Sequence, residues 1–233
     1  RNLFLKDSEA VVPESLKTVV LTDVNNFAEG ALAGAPSLEE VTISGIYGVD
    51  VARLFEGATG LKKLTLPYFG TVSGWFGDET PCNLETVRVT EQTDVPAIAF
   101  RNAKRLRTID FDKDLLSIGQ SAFHGCIHLE KFRIPEIMPD IGASAFDMCY
   151  KLYEVFDESG TINKGQQGYG GIARYAVKVY SDEKDAPEKK VIDGYKFIFD
   201  KDLNESNGAW LYADYNGTDT DLTFPATIVN ATR

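Results

Sequence analysis

The phrase Leu-x-x-(apolar)-x-(apolar) recurs seven times, beginning at Leu16, Leu38, Leu61, Leu84, Leu106, Leu129 and Leu152, with steps of 22, 23, 23, 22, 23 and 23 residues. Self-similarity at a fixed short period marks a solenoid, in which no single repeat can bury both of its apolar faces and stability comes from stacking neighbours. Such an array is built as a surface rather than a pocket, which weighs against catalysis.

A leucine phrase at this spacing is the signature of a leucine-rich repeat. The expected fold is a β-rich repeat solenoid, a right-handed superhelix of about seven 22–23-residue coils. The clearest unit runs from Ile118 to Pro135. From Leu129 to Ile134 it alternates apolar and polar, the period of a half-buried strand. Leu129, Phe132 and Ile134 face inward, Lys131 and Arg133 outward. Pro135 lacks an amide proton and helps end the strand. Phe123 and Cys126, six and three residues before Leu129, fit a short turn that drops an aromatic into the core from the opposite wall. The next coil, from Ile141 to Leu152, repeats the recipe almost letter for letter. Earlier coils place Leu32, Phe55 and Phe100 in the Phe slot, and Ala35, Ala58 and Ala103 in the Cys slot. In the fourth coil Trp75-Phe76 lies two residues further upstream, which predicts a small bulge in the wall.

The text I-G-x-x-A-F-x-x-C-x-x-L-x-x-(apolar)-x-I-P, at Ile118 to Pro135 and again from Ile141, resembles the BspA-type leucine-rich repeat. The resemblance covers residues 10 to 157 and is strongest from 97 to 156. It implies a bacterial surface protein of the kind found in gut and oral species, and a role in adhesion and host interaction. Family members often place a β-hairpin between repeat blocks.

The seven coils define residues 1–157 as the solenoid. Residues 158–190 read as a glycine-rich and charged connector with one strand, at Ala176–Tyr180. Residues 191–233 read as a β-hairpin, Tyr195–Phe199 with Ala209–Tyr215, and the start of a second block at Leu222-Thr-Phe224-Pro225. Asn216-Gly217 is a tight-turn signal. The text begins and ends within repeat-like phrases, as a piece of a longer protein would.

A formal net charge of −11 argues against nucleic acid or anionic lipid as partners. No apolar run approaches the roughly 20 residues that span a bilayer. The glycines from Gly165 to Gly171 lack the Lys-Ser/Thr of a phosphate loop. His124-x-Cys126-x-His128 falls short of the four ligands of a structural zinc site. Asp110-x-Asp112-x-Asp114 begins like a calcium loop, but Leu115 and Ser121 stand where that loop needs Gly and Glu. No nucleophile motif accompanies either histidine. The residues therefore point to no catalytic site, no metal and no cofactor. Cys126 and Cys149, in the same phase of adjacent coils, read as buried free thiols filling small slots.

The outward strand positions form two ladders. One is Val20, Thr42, Thr65, Arg88, Asp110, Arg133, Phe156, and the other is Thr18, Glu40, Lys63, Thr86, Thr108, Lys131, Glu154. At about 4.8 Å per rung they line an inner, concave face roughly 30 Å long. Glu40, Lys63, Arg88, Asp110, Lys131, Arg133, Glu154 and Phe156 are its candidate binding residues. Arg88, Asp110 and Arg133 are expected side by side, either neutralising one another or forming a recognition patch with Phe156 as anchor. The expected role is a non-catalytic, secreted or cell-surface module that binds a protein. The alternative is a spacer or scaffold for another domain.

Overall fold

An apolar residue at every second position of a four-residue strand can be covered only by a second layer, and here the layer is the far wall of the same coil. The computed structural model describes residues 13–23, 29–45, 52–77, 82–200 and 209–215, together with 5–6 and 9–10. The chain divides into two units, Arg1–Ser181 and Asp182–Arg233.

In the first unit, each leucine phrase leads into a strand: Thr18–Leu21, Glu40–Ile43, Lys63–Leu66, Thr86–Val89, Thr108–Phe111, Lys131–Ile134 and Glu154–Asp157. They are the rungs of a parallel ladder. Thr18, Glu40, Lys63, Thr86 and Thr108 stand in one register row, and Lys131, Glu154 and Lys178 in another. An eighth rung, Lys178–Tyr180, pairs in parallel with Glu154–Asp157. Its coil has Ala173 in the Cys slot and Ala176 in the Leu slot. Ala176 N donates to Ala173 O at 3.2 Å, just as Leu152 N donates to Cys149 O at 3.0 Å. The coil pattern thus continues past the last leucine, through residues expected to connect rather than to coil.

Proline interrupts the ladder twice. Ser44 N donates to Leu21 O, Thr90 N to Leu66 O, Asp112 N to Val89 O and Glu158 N to Ile134 O, each closing a rung. Pro67 and Pro135 occupy the same place in their coils and have no amide proton to give. At Pro67 the pairing stops one residue early, at Thr42 and Thr65. At Pro135 the ladder divides into a five-stranded and a three-stranded sheet.

The second wall starts from a shorter parallel ladder, Asp94–Val95, Ser117–Ile118 and Asp140–Ile141. Its glycines are demanded by space. A Cβ on Gly119 would stand 2.3 Å from Ala97 N, and one on Gly142 2.5 Å from Gln120 N. Beyond it, alternate amides reach the neighbouring coil: Ile98 N to Gln120 O, Phe100 N to Ala122 O and Asn102 N to His124 O. Among the described residues, the one before each Ala-Phe or Leu-Phe pair has positive φ: Arg53, Ile98, Ser121 and Ser144. The bulge predicted near Trp75 is instead a turn of helix, Val72–Phe76, started by the Thr71 hydroxyl accepting from Gly74 N and ended at Gly77.

Aromatic rings run through the core. Phe69 and Phe100 stack at 4.5 Å, Phe100 and Phe123 at 5.2 Å, and Phe123 and Phe146 at 5.1 Å, while Phe132 meets Phe146 edge-on at 4.8 Å. Beside them Cys126 and Cys149 are buried free thiols. Each donates its S–H to the carbonyl of the preceding coil's phenylalanine, Cys126 to Phe100 at 3.0 Å and Cys149 to Phe123 at 3.2 Å. Burial pushes the Cys149 thiol up to about 12.

In the second unit Tyr195–Asp200 and Ala209–Tyr215 pair antiparallel, as their patterns predict. Lys189–Ile192 adds a third strand on the other side of Tyr195–Asp200. The connecting residues Asp193 and Gly194 both have positive φ, the geometry of a tight hairpin turn. Asn216-Gly217 and the phrase from Leu222 to Pro225 lie outside the described residues.

Candidate functional site

Strand alternation places Glu40, Lys63, Arg88, Asp110, Lys131, Arg133 and Phe156 on the outer face of the parallel sheet, because Val41, Leu64, Val87, Ile109, Phe132 and Val155 take the inward positions between them. Glu154, expected on the same face, is instead buried. Glu40 stands in register with Lys63, and Arg88 with Asp110. Lys131 and Arg133 stand in register with Glu154 and Phe156.

The arginines reach diagonally rather than straight across. Arg88 makes a bidentate pair with Asp112, Nε and a terminal nitrogen each 2.9 Å from a carboxylate oxygen. Arg133 holds Asp114 at 2.9 Å and Glu158 at 2.5 Å. Hence Arg88 and Arg133 take their hydrogen-bonded carboxylates from outside the row Arg88, Asp110, Arg133, while the charge of Asp110 still acts on Arg88. The acceptors lie two or four residues along the chain from the register partner, and a guanidinium on its long stem finds them there. Two carboxylates of the Asp110-x-Asp112-x-Asp114 phrase are thereby engaged by arginine. The hydrogen bonds that Arg88 donates to Asp112, followed by the charge of that carboxylate, hold the Arg88 guanidinium above its ordinary value.

At the eighth-coil end the face becomes aromatic. The Lys131 ammonium lies 5.3 Å from the Phe156 ring centre and 5.6 Å from that of Tyr180, with the two rings 5.4 Å apart. The Tyr180 hydroxyl donates to Glu154, whose side chain is buried. Tyr180 belongs to the same ladder as Phe156, and only the missing leucine of its coil concealed it.

The histidines do not converge. His128 Nδ1 lies 2.6 Å from Lys104 O, while His124 Nδ1 is buried without a hydrogen-bond partner among the described residues. Among those residues no three His, Cys, Asp or Glu side chains gather as a metal ion requires. Nor is any helix among them long and apolar enough to cross a membrane.

The stacked parallel rungs, leucine core and phenylalanine spine define a leucine-rich repeat solenoid. Residues 79–167 match the family model described as BspA type Leucine rich repeat region, in six copies, and that stretch is a repeat region of this type. Two solved structures are similar. A leucine rich cell surface protein from Faecalibacterium prausnitzii A2-165 is 19% identical with a TM-score of 0.41, over 86% of this chain and 46% of that one. A leucine-rich repeat protein from Bacteroides ovatus ATCC 8483 is 16% identical with a TM-score of 0.33, over 62% of this chain and 53% of that one. The chain thus spans about half the length of each. No curated protein matches it.

Proposed function

We propose that this chain is a non-catalytic binding module of a bacterial surface protein, taking a protein ligand, in the manner of an adhesin, on the exposed face of its parallel sheet. Glu40, Lys63, Arg88, Asp110, Lys131, Arg133 and Phe156 form the proposed contact surface, with the buried Glu154 beneath it. The observation that carries the reading is the cluster at rungs six to eight. There Arg133 is held in place by Asp114 and Glu158, beside an aromatic pair under Lys131. Arginine and aromatic side chains held rigid before binding are what interface hot spots are made of, since little rotamer freedom is left to lose.

The test is binding of the folded 233-residue chain to immobilised extracellular-matrix and epithelial surface proteins. Saturable binding to one of them, weakened at least about tenfold by Arg133→Glu or Phe156→Ala, is the expected outcome. No saturable binding to any would count against a ligand-binding role, and binding indifferent to both substitutions would remove this face from it. A second reading, a spacer that carries another domain, is favoured by the pairing of Arg88 and Arg133 with the module's own carboxylates. It predicts no binding in the same panel.

A further inference from the structure

Outside the sheet face, one stretch runs against the charge of the whole chain. Arg101-Asn-Ala-Lys-Arg-Leu-Arg107 carries four basic and no acidic residues in a protein of formal net charge −11. Its Ala103 and Leu106 are buried, so the turn is pinned to the core while Lys104 and Arg105 stay exposed.

This turn forms one side of an open depression of about 310 Å³, lined by Glu85, Arg105, Arg107 and His128. That volume lies at the lower end of small-ligand sites. The walls are held in place. Arg107 N and Thr108 N both donate to Glu85 O, and the Arg107 side chain is fixed by Glu130 at 2.9 Å. A carbonyl only accepts, so the 2.6 Å contact of His128 with Lys104 O puts a proton on Nδ1 and fixes the ring as a wall of the depression rather than as a donor to it. Arg105 makes no ion pair among the described residues, so its fork of donors remains available.

We propose that this depression binds a single oxyanion, a sulfate or phosphate group, with Arg105 as its principal bidentate donor and Arg107 and His128 beside it. Guanidinium geometry matches such oxygens two at a time. Glu85 on the same rim and the overall negative charge leave room for one anionic group in the depression and weaken, without excluding, the binding of a ligand that carries others nearby. The group could arrive as the free ion or as an ester on a polymer. The site lies off the sheet face, so it stands or falls separately from the protein-binding reading.

The test is calorimetric titration of the 233-residue chain with sodium sulfate, sodium phosphate and sulfated dextran, at constant ionic strength, with uncharged dextran as blank. Saturable binding of the inorganic ions or of sulfated dextran is expected, weakened more than tenfold by Arg105→Glu and kept within twofold by Arg53→Glu, a charge reversal two coils earlier at a residue that does not line the depression. Binding of the inorganic ions identifies a free-ion site, and binding of sulfated dextran alone an ester site. The proposal is overturned by no saturable binding of any probe, by binding that survives Arg105→Glu, or by equal losses in both variants.

Discussion

Gly119→Ala isolates the contact on which the second wall depends. The added Cβ would lie 2.3 Å from Ala97 N, 2.6 Å from Ala97 Cα and 2.7 Å from Pro96 C. Non-bonded heavy atoms settle near 3.5–4.0 Å, so the two coils must part by about 1 Å. No side chain can swing aside, because the obstructing atoms are backbone. That backbone is tied on both sides, by Gly119 N to Val95 O at 2.8 Å and by Ile98 N to Gln120 O at 2.9 Å. Forced overpacking costs about 1–3 kcal/mol, and weakening these two bonds about 1 kcal/mol each at most. Reduced freedom of the unfolded chain returns about 0.4–1 kcal/mol. With each term at its mid-value the expected net loss is about 2 kcal/mol. Urea unfolding followed by circular dichroism measures it as a lower midpoint at unchanged slope. Gly168→Ala is the comparator, since the nearest atom to its Cβ is the side-chain nitrogen of Gln166 at 3.4 Å, which can move. It should stay within about 1 kcal/mol of the parent. If Gly119→Ala also stays within about 0.5 kcal/mol, the close approach of the coils does not explain the glycine.

Three further outcomes follow from the same coils. Ile98 is a β-branched residue at φ 57, in the slot where the next coils carry serine, and its side chain is largely exposed; Ile98→Asn should raise stability by about 1 kcal/mol in thermal unfolding, and a loss would refute the strain. Phe123→Ala removes a ring packed against Phe100, Phe132 and Phe146 and should cost about 3–5 kcal/mol in urea, with Ile137→Ala, at an exposed position, near zero. Burial raises the Cys149 thiol from 9.0 to about 12, so the folded state keeps a proton that the unfolded state releases. This contribution is complete below about pH 9 and is lost as pH rises from 9 toward 12, at up to about 1.4 kcal/mol per unit, and a Cys149→Ala variant should show a shallower alkaline decline.

The solenoid was legible because stacking tolerates few choices at inward positions. Leu129 and Phe123 had to recur or the core would open, so period and register could be counted to the residue. The eighth coil escaped because Ala173 and Ala176 fill the Cys and Leu slots without the letters by which coils are recognised. Trp75 misled in another way. A helical turn and a bulge both move an aromatic along the chain, and only the Thr71 cap distinguishes them. Alternation determines which way a strand side chain points, but not how far it is covered, and Glu154 is buried although Glu40 and Lys63 in the same ladder are exposed. The partners of the face residues were not legible. Arg88 was expected beside Asp110 but reaches Asp112, because a long flexible stem chooses among neighbouring carboxylates by geometry that no spacing encodes. Exposed positions are also free of the stacking constraint, and the basic turn from Arg101 to Arg107 became a site only when folding laid His128 against Lys104.

Arg133 lies on the seam left by Pro135. Pro135 withholds the amide that would close the fifth rung against the sixth, and the ladder divides there. Arg133 binds Asp114 from the coil before and Glu158 from the coil after. It therefore fastens three coils from the exposed side at the place where a backbone bond is missing. Exposed ion pairs usually contribute little, and the Arg133 side chain is 42% exposed, so Arg133→Ala should cost only about 1 kcal/mol. The informative comparison is with Pro135→Ala, which restores an amide able to donate to Phe111 O. If Arg133 compensates for the missing bond, its removal should cost less in the Pro135→Ala background than in the parent, and a double-mutant cycle in urea reads the difference. Equal costs in both backgrounds would mean that the arginine and the seam are independent. A non-zero coupling has a consequence for binding, since a ligand that drew Arg133 away from Asp114 and Glu158 would also loosen the joint between the five-stranded and three-stranded sheets.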